Sequence, residues 1–342
     1  MRARLTEHRR FQPRGGGGGL ACLLVFGATA ALACGGAAQA HSIGGSHDPS
    51  SPSTTLSAGA AAVAVPDDAV LPEPGSGRLL PVGPGRTATA KLTYGAMISP
   101  FHDGTGMTVA DLLYSFAFAY RWSPRDPAID AATALLRRVL KGVKYIGADP
   151  SQTIRFGDLT YVREQLLVDV YIDAPAADGD LAAALAPLWS SLPWHAIALM
   201  EEAVARGWAA FSKDEAARLG VEWLDPVRSE PLKRRLKSVV EEFERAGHVP
   251  APLAGLVTAA EARTRWTALG MYHAQHGNFL VTNGPYGVKS WDGDTAVLEV
   301  VRDPNYPLGV GSYDAYAIPR RAWVVKADPT AEGIALAVEV DT

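Results

Sequence analysis

Histidine supplies the residues whose type and spacing come nearest to chemistry. His273 and His276 sit at i and i+3 near the end of an expected helix, close enough to share a face. As metal ligands they would need further carboxylates or imidazoles from elsewhere; as a helix terminus they simply suit the dipole as His⁺. His41 follows Ala38-Gln39-Ala40, a small-x-small site of the kind a signal peptidase reads. Cleavage there would leave a terminal amine beside an imidazole, a copper-chelating pair, with His47 nearby. The remaining histidines of the mature chain, His102, His195 and His248, each have ordinary alternatives.

Hydrolytic and phosphate-binding signatures are missing from the sequence. It contains no Gly-x-Ser-x-Gly elbow and no His-Glu-x-x-His, and no pair of carboxylates has a spacing that demands acid–base work. The five glycines at 15–19 lack the Gly-Lys-Ser/Thr of a phosphate loop. The residues therefore point away from an enzyme, and no cofactor is implied.

The frame around these residues divides into three. Residues 1–40 read as an export signal: Arg2, Arg4, Arg9, Arg10 and Arg14, then the apolar run Leu20–Cys34. That run is short for a bilayer span, which takes about 20 residues. Uncleaved, residues 20–34 would be an anchor; a lipoprotein cut before Cys34 is a second alternative. The expected location is the periplasm or cell envelope. Residues 41–86 are rich in Gly, Ser, Pro and Ala and are expected to form a disordered linker. Residues 87–342 form the expected domain, and the last ~25 residues read as the start of a separate β segment.

Charge and composition agree with an exported globular chain. Of 342 residues, 48% are hydrophobic and 20% charged, enough for a core. Removing residues 1–40 takes five Arg and Glu7 and leaves a net charge of −8, which suits cationic solutes and gives nothing for nucleic acid. Cys22 and Cys34 also leave with the signal, so no disulfide is needed.

The pattern predicts a mixed α+β fold of the α/β class with a β-rich C-terminal part. Strands are expected over Thr89–Tyr94, Thr153–Phe156 and Gln165–Ile172; in the last, Val168, Val170 and Ile172 alternate with Asp169, Tyr171 and Asp173, the mark of a half-buried strand. A helix starts after Thr108, with Asp111 in its first turn and a core face of Leu112, Leu113, Phe116 and Tyr120. Further helices are expected over 130–141, from Trp194 to about Gly207, from Ser229 to Gly247, and from Thr258 to about Gln275. Five strand-like runs follow: Asn278–Val281, Tyr286–Trp291, Ala296–Val301, Arg321–Lys326 and Ile334–Val340. The tryptophans are expected mostly in the core.

Two stretches are more specific. Phe101 to Phe116 reads FHDGTGMTVADLLYSF, carrying His102, Asp103, Gly104, Thr108 and Asp111. Asn283-Gly284-Pro285-Tyr286, Ser290-Trp291 and Arg302-Asp303-Pro304-Asn305-Tyr306 form the second. In this order they resemble the two signature segments of family-5 extracellular solute-binding proteins, the oligopeptide, dipeptide and nickel receptors of ABC importers. The likeness spans about residues 88–327, with Thr282-Asn283 and Pro307 departing from the family's pattern. It implies lobe I of a periplasmic-binding-protein type II fold, uptake of peptides or small solutes, and a permease as partner. In this family ligand is trapped between two hinged lobes, and peptide is held by extended backbone pairing.

Physically, the motif residues His102, Asp103, Gly104, Thr108, Asp111, Gly284, Pro285, Tyr286, Trp291, Asp303 and Tyr306 read as turn and cap formers; the ligand-contacting residues are not identified by them. Only 36 residues follow Tyr306, fewer than a second lobe needs. The expectation is one lobe or a fragment, with a partner chain supplying the rest. Two alternatives stand beside it: a lobe that has lost solute binding and serves as an assembly module, and a secreted metal-binding protein using His41 or His273 and His276.

Overall fold

The computed structural model describes residues 55–57, 62–122, 131–156, 158–173, 182–183, 185–186, 191–293, 295–301, 322–330 and 333–340. The fold is mixed α and β. The expected signal (1–40), His41, Asp303 and Tyr306 lie outside the described residues.

Six strands form the main sheet, antiparallel throughout in the order β1-β6-β8-β7-β3-β4. They are β1 (Thr55–Ser57), β3 (Val70–Pro72), β4 (Leu79–Pro81), β6 (Ala90–Met97), β7 (Leu140–Phe156) and β8 (Leu159–Ile172), while β2 (Val63–Ala64) pairs β5 (Thr87–Ala88) beside it. Side chains alternate across a strand, so Leu166, Val168, Val170 and Ile172 of β8 enter the large core together with Leu92 and Tyr94 of β6.

The opposite face of β8 corrects the half-buried reading. Tyr171 is buried there in a second cluster with Val65, Ala69 and Ala88. Asp169 is buried beside it and accepts from Thr93 Oγ1 at 2.6 Å, Lys91 Nζ at 3.2 Å and Tyr171 OH at 3.4 Å. The cover comes from residues 62–88, most of which were expected to be linker. That expectation fails at β1, where Thr55–Ser57 pairs with β6, and again from residue 62 onward, so the domain begins well before residue 87. The reason is turn chemistry: Gly75, Gly77, Gly83 and Gly85 all take positive φ, so low-complexity sequence folds as tight turns between very short strands. Gly77 also lies against the next element, because a Cβ there would sit 2.7 Å from the Ala117 carbonyl oxygen.

Ala117 belongs to α1 (Val109–Trp122). One apolar face was expected; instead nearly the whole circumference is buried, including Ala110 to Tyr114 and Phe116 to Tyr120, because the sheet, the covering segment and other helices surround it. The next helix is α2 (Ala131–Val139), which gives way to β7 at Leu140. Then follow α3 (Trp194–Ala205), the small β9 (Ala209–Ala210) and β10 (Glu222–Trp223) pair flanking α4 (Lys213–Leu219), and two long helices, α5 (Glu230–Ala246) and α6 (Ala259–His276).

Both long helices follow the local code. Ser229 caps α5 by accepting from Leu232 N–H at 3.2 Å, and Leu232, Leu236, Val239, Val240 and Phe243 are its buried stripe. Gly247 closes it in the left-handed region with φ 61°. Thr258 and Glu261 form a complete capping box on α6, a motif worth about 1 kcal/mol.

The C-terminal part is β-rich as expected: β11 (Tyr286–Asp292) pairs β12 (Thr295–Val300), and β13 (Ala322–Thr330) pairs β14 (Gly333–Val340). Asn278–Val281 is not a strand. Phe279, Leu280 and Val281 are buried, but Asn278 Oδ1 accepts from Leu280 N–H at 2.9 Å and turns the backbone away from any ladder. Among the described residues, no helix is long and apolar enough to cross a membrane.

Candidate functional site: a motif junction and a cation-lined cavity

The loop after β6 and the loop before β11 meet. His102 N–H donates to the Thr282 carbonyl at 2.8 Å. Its ring Nε2 lies 2.7 Å from the Gly284 carbonyl oxygen. A carbonyl can only accept, so Nε2 carries the proton and Nδ1 takes the Thr282 hydroxyl at 3.3 Å. Burial pushes the His102 imidazole below its usual range, which keeps that neutral tautomer. The two motifs, 182 residues apart for His102 and Gly284, are thus one junction.

His102-Asp103-Gly104 makes the expected turn. Gly104 has φ 82°, and Asp103 Oδ1 accepts from Thr105 N–H at 3.0 Å and Thr105 Oγ1 at 2.7 Å. The other Asp103 oxygen accepts from His195 Nε2 at 2.7 Å, and neither side chain is exposed. Burial works to raise the Asp103 carboxyl, but the hydrogen bonds from His195 and Thr105 outweigh it, and it titrates below its usual range. Burial lowers the His195 imidazole despite Asp103. Trp194 and Trp266 set their ring edges or faces around it, with ring centroids 5.4 and 6.1 Å away. Its Nδ1 has no hydrogen-bond partner among the described residues.

Asp111 joins this network from α1. One half of a capping box forms at Thr108 and Asp111: Asp111 Oδ2 accepts from Thr108 N–H at 2.8 Å and from its hydroxyl at 3.0 Å. Asp111 Oδ1 accepts the Trp194 N–H at 2.9 Å, one of the free donors at the start of α3. Arg265 from α6 closes the circuit, donating to Asp111 Oδ2 at 3.0 Å, the Gly106 carbonyl at 2.6 Å and Thr105 Oγ1 at 3.0 Å. Asp111, His195 and Arg265 are buried, and the Asp103 side chain is closed to solvent. The arrangement welds three helices to one loop; it offers a substrate no access.

Sequence reasoning singled out Asp103 and Asp111 but not their partners His195 and Arg265. Those lie 92 and 154 residues away, and no local spacing marks such a pairing.

The expected histidine pair does not converge. His273 stacks on Phe279 at 4.2 Å and His276 on Tyr272 at 4.4 Å. Among the described residues, no group of three or more His, Cys, Asp or Glu could hold a metal. The tryptophan expectation holds for Trp122, Trp194 and Trp266, which are buried, and not for Trp208, Trp223 and Trp291, which are half-buried.

Pro285 precedes β11 and Tyr286 begins it, exposed, while Trp291 lines a cavity of about 430 Å³. This cavity lies between the start of α5, the end of α6 and β11; its lining includes Arg228, Lys233, His276, Lys289, Ser290 and Trp291. The Arg228 guanidinium stands 5.0 Å from the Trp291 ring centre. Lys233 donates to the Gly277 carbonyl at 2.9 Å and pairs with Glu230 at 2.6 Å.

Compared with known proteins, the chain matches no family model and no curated sequence.

Proposed function

We propose that this chain is an exported, non-enzymatic solute-binding-protein-like lobe that serves ABC-type uptake of peptides or small solutes. The observation that carries this reading is the motif junction. Two segments that resemble one family's signatures, far apart in sequence, are tied together by His102 to Thr282 and Gly284. Supporting it, the carboxylate–imidazole pair Asp103–His195 is sealed from solvent, which suits a scaffold that positions a face rather than one that turns over substrate. In this reading a second lobe closes over the ligand and a permease receives it.

Thermal shift of the full chain against peptides, amino acids and metal ions tests it. A ligand at 100 times its Kd adds about 2.7 kcal/mol of stability, so a binding solute raises the melting temperature. No shift with any of them would overturn solute binding.

A second reading has its own observation. Every residue of β12 is exposed, including Val297, Leu298 and Val300, and a two-stranded ribbon is marginal alone. That favours an assembly module. Sedimentation velocity separates the readings: an assembly module self-associates or captures a partner, and a solute receptor stays monomeric while binding its ligand.

A further inference from the structure

The chain as a whole carries a formal −4, yet the cavity beside β11 has the opposite sign. Three cationic side chains, Arg228, Lys233 and Lys289, line it; Asp225 pairs with Arg228 and Glu230 with Lys233, which leaves the charge of Lys289 uncompensated. We infer that this cavity binds a compact oxyanion, a carboxylate- or phosphate-bearing small molecule.

The strand is built to present donors there. Val288 pairs with Leu298 and Ser290 with Val297, which leaves Lys289 as the extra residue of a β-bulge. A bulge breaks the two-residue alternation and re-aims side chains. Here Val288, Lys289, Ser290 and Trp291 all reach the same cavity instead of alternate faces. The Lys289 ammonium and the Ser290 hydroxyl have no side-chain partner among the described residues. They are donors left open, where Lys233 and Arg228 are already held in place by Glu230, Gly277 and Asp225.

The held cations fix the geometry of the opposite wall. The Arg228 guanidinium stands over the Trp291 ring, and Asp225 takes its Nε–H, which leaves the terminal N–H groups of the planar fork for a ligand. A planar carboxylate or a phosphate would meet the Arg228 fork on one side and the Lys289 ammonium on the other. The volume, about 430 Å³, falls within the range of small-molecule sites. The site does not rest on the uptake reading: Ser290 and Trp291 come from the second motif, but the junction of His102 with Thr282 and Gly284 takes no part in it.

Isothermal titration calorimetry of the full chain at constant ionic strength tests the inference, with inorganic phosphate and citrate as separate probes. The expected result is one saturable site for at least one of them with Kd at or below about 1 mM. Lys289→Gln and Arg228→Gln each weaken it at least about tenfold. Lys213→Gln, at the start of α4 and outside the cavity, leaves it unchanged. Lys289 is exposed on its strand, so its variant folds as the parent does; Arg228→Gln is checked by its melting curve. A preference for citrate assigns a carboxylate ligand, and one for phosphate a phosphorylated one. No heat from either probe at about 10 mM, or equal weakening by Lys213→Gln and Lys289→Gln, overturns the site.

Discussion

The Asp103 carboxylate holds the Nε2–H of His195 at 2.7 Å, and both side chains are closed to solvent. The pair joins the β6–α1 loop to the first turn of α3. Replacing one member of a buried charged hydrogen bond strands the other. Asp103→Ala leaves the His195 ring and the Thr105 donors without their acceptor, and is expected to cost about 3–5 kcal/mol. Urea unfolding followed by tryptophan fluorescence measures it; a cost under about 1 kcal/mol would show that the pair contributes little.

The same pair gives the fold an acid limb. His195 has a folded-state pKa below its ordinary 6.5, chiefly through burial; His102, His248 and His273 are lowered too, in each case chiefly by burial. The unfolded chain then binds more protons, so stability is full above the unfolded value and falls as pH drops through 6.5. Asp103 adds a second loss below its ordinary 3.8, since its folded pKa is also depressed. Glu201 acts in the opposite sense: burial raises its carboxyl above 4.5, so it contributes most at low pH and its contribution fades as pH rises through the folded value. Urea midpoints from pH 8 to 5 are expected to fall, with a shallower slope in His195→Gln. A flat profile in the parent would refute the assignment.

Asp111 takes four hydrogen bonds from three separate places: Thr108 twice, Trp194 and Arg265. Asp111→Ala removes all four and leaves Arg265 buried without its carboxylate; the expected cost is about 3–5 kcal/mol. Thr108→Ala removes only the hydroxyl and is expected to cost about 1 kcal/mol. Equal effects from the two variants would mean that the Arg265 and Trp194 contacts are energetically idle.

Gly77 and Gly83 both have positive φ, 71° and 78°, but only Gly77 lies against backbone. A methyl at Gly83 meets nothing within 4 Å, whereas at Gly77 it meets the Ala117 carbonyl at 2.7 Å. Gly83→Ala is therefore expected to cost about 1 kcal/mol for strain alone. Gly77→Ala adds a clash with α1 and should exceed it by about 1–3 kcal/mol. Paired melting curves decide the order.

Through Val65, Ala69 and Ala88, residues 62–88 cover Tyr171, and they supply β3, which pairs with β7 at Val143. A chain starting at residue 87 loses that cover and exposes an apolar sheet face. It is expected to aggregate or to melt without cooperativity, while a chain starting at residue 41 melts as the parent does. Cooperative melting of the shorter chain at the parent temperature would restore the linker reading.

Where chemistry is local, the sequence was readable. Ser229, Gly247 and Thr258 mark helix ends because a cap acts on donors or carbonyls within one turn. The α5 stripe from Leu232 to Phe243 was readable for the same reason, since its period is that of the helix itself. His195 and Arg265 were not, because their partners arrive through tertiary packing. The covering strands β2 to β5 were missed because two- and three-residue strands carry no measurable period, and their Gly and Pro content looks like disorder. Asn278–Val281 shows the reverse error: an apolar run records burial, and burial alone does not decide whether the backbone pairs.

The antiparallel order of the main sheet has a kinetic side. Lys91 on β6 must wait for Asp169 on β8, 78 residues later in the chain. At about 5–20 residues per second of synthesis, that is roughly 4–16 s during which β6 has emerged with β1 but without β8. The β7–β8 hairpin closes between adjacent segments, Phe156 pairing with Leu159, and needs no such delay. The hairpin is therefore expected to close first, and the four strands that precede it, β1, β3, β4 and β6, wait for it with their edges open.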